Sequence, residues 1–191
     1  MSGNSSRQKK KIVQSNNGIV GCSSITWESL IHENNEILDV PEGREEVHIQ
    51  LAENVHQLRN EVFPGKPITK ANVAAAVLTL DNGTVFDQQA TSRRKGPLPN
   101  KPKKKSDGGL FIPSKHLDEN GDGRIMDTDA EYKLFDDMAQ KLLELPEEER
   151  KGSLDLFTEM SMCDSCKDIK KQFEEMFPKI NVNVSYKKVF Q

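Results

Sequence analysis

The sequence predicts an α/β domain: a mixed β-sheet flanked by helices, preceded by a partly disordered N-terminal extension over residues 1–42. Three observations carry that class. In three separate segments, apolar residues recur every three or four positions, the period of a helix with one buried face. Between these segments lie apolar or alternating runs of strand length. The C-terminal third runs strand, helix, strand, and that order closes as a parallel pair joined by a right-handed crossover.

Composition sets the limits. A chain of 191 residues holds one domain with a sizeable core plus extensions. Only 35% of residues are hydrophobic and 30% are charged, so part of the chain is expected to stay solvated. Residues 1–40 show no sustained period; Trp27, Leu30 and Ile31 form a candidate docking element and nothing more. A net charge of −3 rules out polyanion binding by bulk field, so any nucleic-acid contact must use local patches. Three cysteines are an odd number, which argues against a disulfide framework. The first twenty residues are polar and basic, with no apolar stretch of signal-peptide type, and no run is long enough to span a bilayer.

The elements follow in order. Val47, Leu51, Val55, Leu58 and Val62 make one stripe of an amphipathic helix, which Pro64 and Pro67 stop. His48 and His56 lie on or beside that stripe and read as surface or boundary residues. The run Val73 to Leu80 is apolar on both faces, as a central strand is. Asp81-Asn82-Gly83 turns it, and Thr84 to Phe86 begin the return. A basic stretch comes next: Arg93, Arg94, Lys95, Lys101, Lys103, Lys104 and Lys105, with Pro and Gly between them and no acid. It reads either as a solvated loop or as an arm that attracts phosphates. Leu134, Met138 and Leu142 stripe a second helix, and residues 152–160 form a strand. A third helix opens at Cys163-x-x-Cys166, with Cys166, Ile169, Phe173 and Met176 on one face and Pro178 after it. Residues 180–186 alternate strictly, as a strand with one wet face does.

The chemistry concentrates at two helix starts. The Cys163/Cys166 pair supplies two thiolates, and a tetrahedral zinc site needs at least one further protein ligand. Asp129, at the start of the preceding helix, is the candidate third ligand, and Glu131 beside it is free to move protons. Helix N-termini favour anions and lower thiol pKa values. Each residue also has a plainer reading. Thr128-x-x-Glu131 before an apolar run is a capping box. The cysteine pair could be a thioredoxin-type redox motif, but too little sheet follows it. Cys22 reads as a bystander, and His32, His48, His56 and His116 have no ligand spacing.

A second signal overlaps the first. Residues 118–129 follow a calcium-loop pattern, with Asp118, Asn120 and Asp122 as candidate oxygen ligands, Gly123 at the turn and Asp129 at the twelfth position. Met126 and the terminal Asp depart from that pattern, no second copy exists, and an Asx-Gly-rich turn is the plain alternative. Genuine calcium binding would make the chain a dockerin-like or EF-hand-like interaction module with an incidental cysteine pair.

Taken together, "DAEYKLFDDMAQKL" and "LDLFTEMSMCDSCKDIKKQFEEMFPKINVNVSY" resemble the zinc-dependent cytidine-deaminase superfamily, and within it the deaminase domains of bacterial polymorphic toxins. The superfamily signature is H-x-E on one helix and P-C-x-x-C on the next. The likeness covers roughly residues 45 to 187, and the hairpin at 72–86 falls where the family places its first two strands. It implies a deaminase-like domain over residues 43–191 with a cytidine-deaminase-like fold. It implies zinc on Asp129, Cys163 and Cys166, and Glu131 as the proton shuttle. Asp129 stands where most members have His, and Met162 where Pro precedes the first Cys. The resemblance further implies deamination of a nucleobase, cytosine to uracil in DNA or RNA, by a secreted or delivered toxin domain. Such a domain acts in the target-cell cytoplasm and meets a cognate immunity protein, with no membrane partner.

Overall fold

The structure is a computed structural model that describes residues 37–68, 71–92, 108–117 and 123–188. Trp27, Leu30, Ile31, Cys22, His32, the basic stretch 93–105 and the loop residues Asp118, Asn120 and Asp122 lie outside the described residues.

The chain order is helix α1 (Glu45–Val62), strands β1 (Val73–Leu80), β2 (Val85–Thr91), β3 (Lys115–Leu117) and β4 (Gly123–Ile125), helix α2 (Ala130–Leu143), strand β5 (Gly152–Met160), helix α3 (Asp164–Met176) and strand β6 (Ile180–Lys188). The main sheet runs β2-β1-β5-β6 and is mixed: β1 is antiparallel to both β2 and β5, while β5 and β6 are parallel. The α/β class expected from the sequence is the class observed. The hairpin β3–β4, which the sequence pattern did not show, pairs Leu117 with Gly123.

The sheet is the middle of three layers. The apolar run of β1 is buried on both faces because both are covered. On one face Ala74, Ala76 and Leu78 pack with Leu154 and Leu156 of β5, Leu134 and Met138 of α2, and Ile169 and Phe173 of α3. On the other, Val73, Ala75 and Phe157 meet Leu51, Val55 and Leu58 of α1. Phe173 also touches the rings of Phe111, Phe135 and Phe177, which ties the segment before β3 into the core. Gly152 opens β5 at a φ of 150°, where a Cβ would sit 2.1 Å from the Thr79 carbonyl oxygen. Only glycine admits that approach of two backbones.

Three expectations change once the layers are assembled. The polar face of β6 is wet only at Asn181: Asn183 and Ser185 are buried beneath α1. His48 is no surface residue but fully buried; its Nδ1 lies 2.5 Å from Ser185 Oγ and its Nε2 3.3 Å from Asp155 Oδ1. Met176, placed on the buried face of α3, is 45% exposed, and Phe177 just beyond the helix fills the core instead. Asp155, wholly buried, also accepts from Arg44 and from Asn183 Nδ2. Burial pushes its carboxyl up, but the contacts with His48, Arg44 and Asn183 outweigh that and hold it below the usual range. The extension is joined to the sheet at its end, where Leu38 and Tyr186 exchange backbone hydrogen bonds of 2.6 and 3.1 Å.

Candidate metal centre

Strand β5 ends at Met160, two residues cross the top of the sheet, and Cys163 becomes the N-cap of α3. Beside it, Asp129 is the N-cap of α2. Both caps are extended, with ψ of 168° and 145°, and each leads straight into its helix, so the two helix starts face one another. The first-turn amides of a helix lack intrahelical partners, and their dipoles favour negative charge at these ends.

The side chains meet there. Asp129 Oδ2 lies 3.7 Å from Cys163 Sγ and 3.6 Å from Cys166 Sγ. The three donor atoms all fall within 4.8 Å of one another. Zinc–sulfur bonds of about 2.3 Å and a zinc–oxygen bond of about 2.0 Å give a tetrahedron whose edges are about 3.5–3.8 Å. The two sulfur–oxygen separations lie close to the shorter of those edges, and the donor set is of the sulfur and oxygen type that zinc accepts. The residues present therefore fit the metal.

Glu131 stands next to this cluster, 4% exposed, its Oε2 3.8 Å from Cys166 Sγ. Its Oε1 accepts from Thr158 Oγ1 and from Asn72 Nδ2, each at 2.7 Å. Burial pushes the Glu131 carboxyl up to about 7; the charge of Asp129 adds to this, while Thr158 and Asn72 oppose it. The capping-box reading fails on register. With Asp129 as N-cap, Thr128 lies outside the helix and Glu131 falls at its second position, with its side chain turned inward. Cys163 is pulled down because it accepts from the Cys166 thiol, while Cys166, donating and buried among carboxylates, is pushed up. The first thiol is thus the readier to ionise and take a metal.

Asp129, Glu131, Cys163 and Cys166, separated in sequence, are brought together. The calcium ligands Asp118, Asn120 and Asp122 lie outside the described residues. The chain around them closes as a hairpin, and the twelfth-position acid, Asp129, faces the cysteines. Asn72 and Thr158 were not singled out from the sequence. They reach Glu131 across 59 and 27 residues, and nothing local marks either one.

A three-layer α/β domain thus brings two thiols and a carboxylate together at facing helix starts, with a buried glutamate alongside, as a centre able to hold a metal. Residues 99–188 match the Toxin-deaminase family model, described as the BURPS668_1122 family of deaminases, and that segment contains Asp129, Glu131, Cys163 and Cys166. Over that segment the chain is similar to the deaminase domains of toxins. No curated protein matches the chain.

Proposed function

We propose that this protein is a zinc-dependent deaminase converting cytosine to uracil in nucleic acid, as the active domain of a toxin. The observation that carries the proposal is the convergence of the Asp129, Cys163 and Cys166 donor atoms within 4.8 Å of one another, with Glu131 buried against them. Asp129, Cys163 and Cys166 would hold the zinc, and zinc when bound supplies a water acidic enough to react near neutral pH. Glu131 would take a proton from the attacking water and deliver it to the ring nitrogen and the departing amine. In the net reaction water adds at the amino-bearing ring carbon, the carbon–nitrogen bond breaks and ammonia leaves. Desolvation suits Glu131 to the task, because a carboxyl near pH 7 both accepts and returns a proton.

The substrate is assigned from the likeness to toxin deaminases and from the basic residues Arg93, Arg94, Lys95, Lys103, Lys104 and Lys105. A cognate immunity protein and action in a target cell's cytoplasm are proposed with the same likeness as support. Among the described residues no helix is long and apolar enough to cross a membrane.

The test is conversion of cytosine to uracil in single-stranded DNA and RNA oligonucleotides, read by mass spectrometry, for the native chain and for Glu131→Gln. The native chain is expected to convert at least one of them. The Gln variant keeps an oxygen acceptor for Thr158 and Asn72, so it should stay folded and lose about 10²–10⁴ in rate. A folded Gln variant that deaminates at the native rate would remove Glu131 from the chemistry.

A further inference from the structure

Asn72 lies outside the segment matched to the family, yet its amide touches the centre. Nδ2 donates to Glu131 Oε1 at 2.7 Å and to Thr158 Oγ1 at 2.8 Å. Thr158 in turn donates to the same Glu131 oxygen. The three groups form a closed triangle, and both amide hydrogens of Asn72 are used in it. The amide cannot turn over, since that would set Oδ1 against a carboxylate oxygen. The consequence is visible: Asn72 Oδ1 is buried with no hydrogen-bond partner. An unsatisfied buried acceptor costs about 1–3 kcal/mol, and such a cost marks a group kept for what its other end does.

The backbone around Asn72 is held from the far side of the sheet. Neighbouring residues on β5 point to opposite faces, so Thr158 faces the centre while Glu159 faces α1. Glu159 pairs with Arg59 of α1, and both are largely buried. Glu159 Oε2 accepts the Val73 amide at 2.9 Å, and Arg59 donates to the Ala71 carbonyl. The residues on either side of Asn72 are therefore fixed by one ion pair. Asn72's own amide donates to Ser92 Oγ at 2.9 Å, and its carbonyl accepts the Ser92 amide at 2.9 Å. A residue at the start of a strand, where backbones ordinarily fray, is locked through every backbone group it has.

We infer that Asn72 and Thr158 are positioning residues that hold the Glu131 carboxylate at the edge of the cysteine cluster, and that the Arg59–Glu159 pair acts on the same carboxylate from across the sheet by fixing Asn72. This rests on the proposed role of Glu131. The pair's other hydrogen bonds go to the backbone of Lys66, Ala71 and Val73. Its influence passes through the backbone at 71–73, and a displacement of Glu131 of about 1 Å is enough to cost about 10²-fold in rate.

The experiment combines steady-state kinetics on a cytosine oligonucleotide with zinc content and amide NMR of the full chain. Thr158→Val, which keeps the shape and removes the hydroxyl, should lower kcat by about 10²-fold with KM within about twofold and zinc unchanged. Thr158→Ser should recover most of that loss, which a packing role would not predict. Asn72→Ala should act like Thr158→Val. Glu159→Gln and Arg59→Lys should each lower kcat alone and add nothing in the Asn72→Ala background, because serial devices are non-additive. Independently of turnover, the Asn72 side-chain NH₂ signals should be shifted from those of exposed amides and should move in Glu131→Gln. The inference is overturned if Thr158→Val and Asn72→Ala keep kcat within about twofold while Glu131→Gln is inactive, or if the Glu159 and Asn72 effects multiply. Full activity of folded Glu131→Gln would instead overturn the proposed function, so the two failures are distinct.

Discussion

Asp129 and Cys163 each cap a helix, and their side chains meet at 3.7 Å although 34 residues separate them in the chain. Neither side chain makes a capping hydrogen bond to its own helix. Both are surrendered to the space between, and the predictions begin there.

The first is about metal. The purified chain should carry about one zinc, and Cys163→Ala or Cys166→Ala should lose it with a large drop in melting temperature. Asp129→His exchanges a charged candidate ligand for a neutral imidazole, which zinc also accepts. It should keep zinc and keep or raise the deamination rate. Elemental analysis alongside the oligonucleotide assay decides; zinc lost from a folded His variant means that Asp129 is not an interchangeable ligand.

Acid should unfold the protein through Asp155. Its folded pKa lies below its ordinary value of 3.8. The stabilisation it gives is therefore complete above 3.8 and disappears as pH falls through the lower, folded value. Urea titrations from pH 6 to pH 2 should show this loss. Asp155→Asn should be less stable at neutral pH by about 1–3 kcal/mol, since it removes the charge that Arg44 pairs with, and should lack this contribution to the acid-induced loss. Equal acid sensitivity in the two proteins would place the effect elsewhere.

Gly152→Ala tests the crossing of β1 and β5. The added methyl meets the Thr79 carbonyl at 2.1 Å, and both partners are backbone. Relief requires the strands to part, so a loss of at least about 1–3 kcal/mol is expected in chemical denaturation. A neutral substitution would show that the strands are less tightly apposed there.

The basic stretch gives a prediction of salt dependence. Replacing Lys103, Lys104 and Lys105 by Gln should weaken single-stranded DNA or RNA binding and reduce the slope of log K against log salt by about 0.7 per lost phosphate contact. Deamination of a free nucleoside should not change. An unaltered slope makes this segment a solvated loop.

The sequence by itself determined the periodic elements and the candidate ligands. Helix α1, the hairpin β1–β2, helix α3 and strand β6 were legible because each is written in local spacing: every fourth residue apolar, Asp-Asn-Gly between apolar runs, an alternating strand after Pro178. Asp129, Glu131, Cys163 and Cys166 were legible because ligand chemistry and helix starts both have short-range signatures. Tertiary structure alone decided which polar residues are inside. Asn183 and Ser185 alternate just as a wet face would, and only the docking of α1 buries them, because burial of a strand face depends on what covers it. His48 is buried for the same reason, across 137 residues from its partner Ser185. Asn72 and Thr158 hold Glu131 through hydrogen bonds that exist only once β1, β5 and α2 are assembled. The choice between a capping box and an inward-facing carboxylate was a matter of one residue of register, and the turn at Asp127 and Thr128 set it.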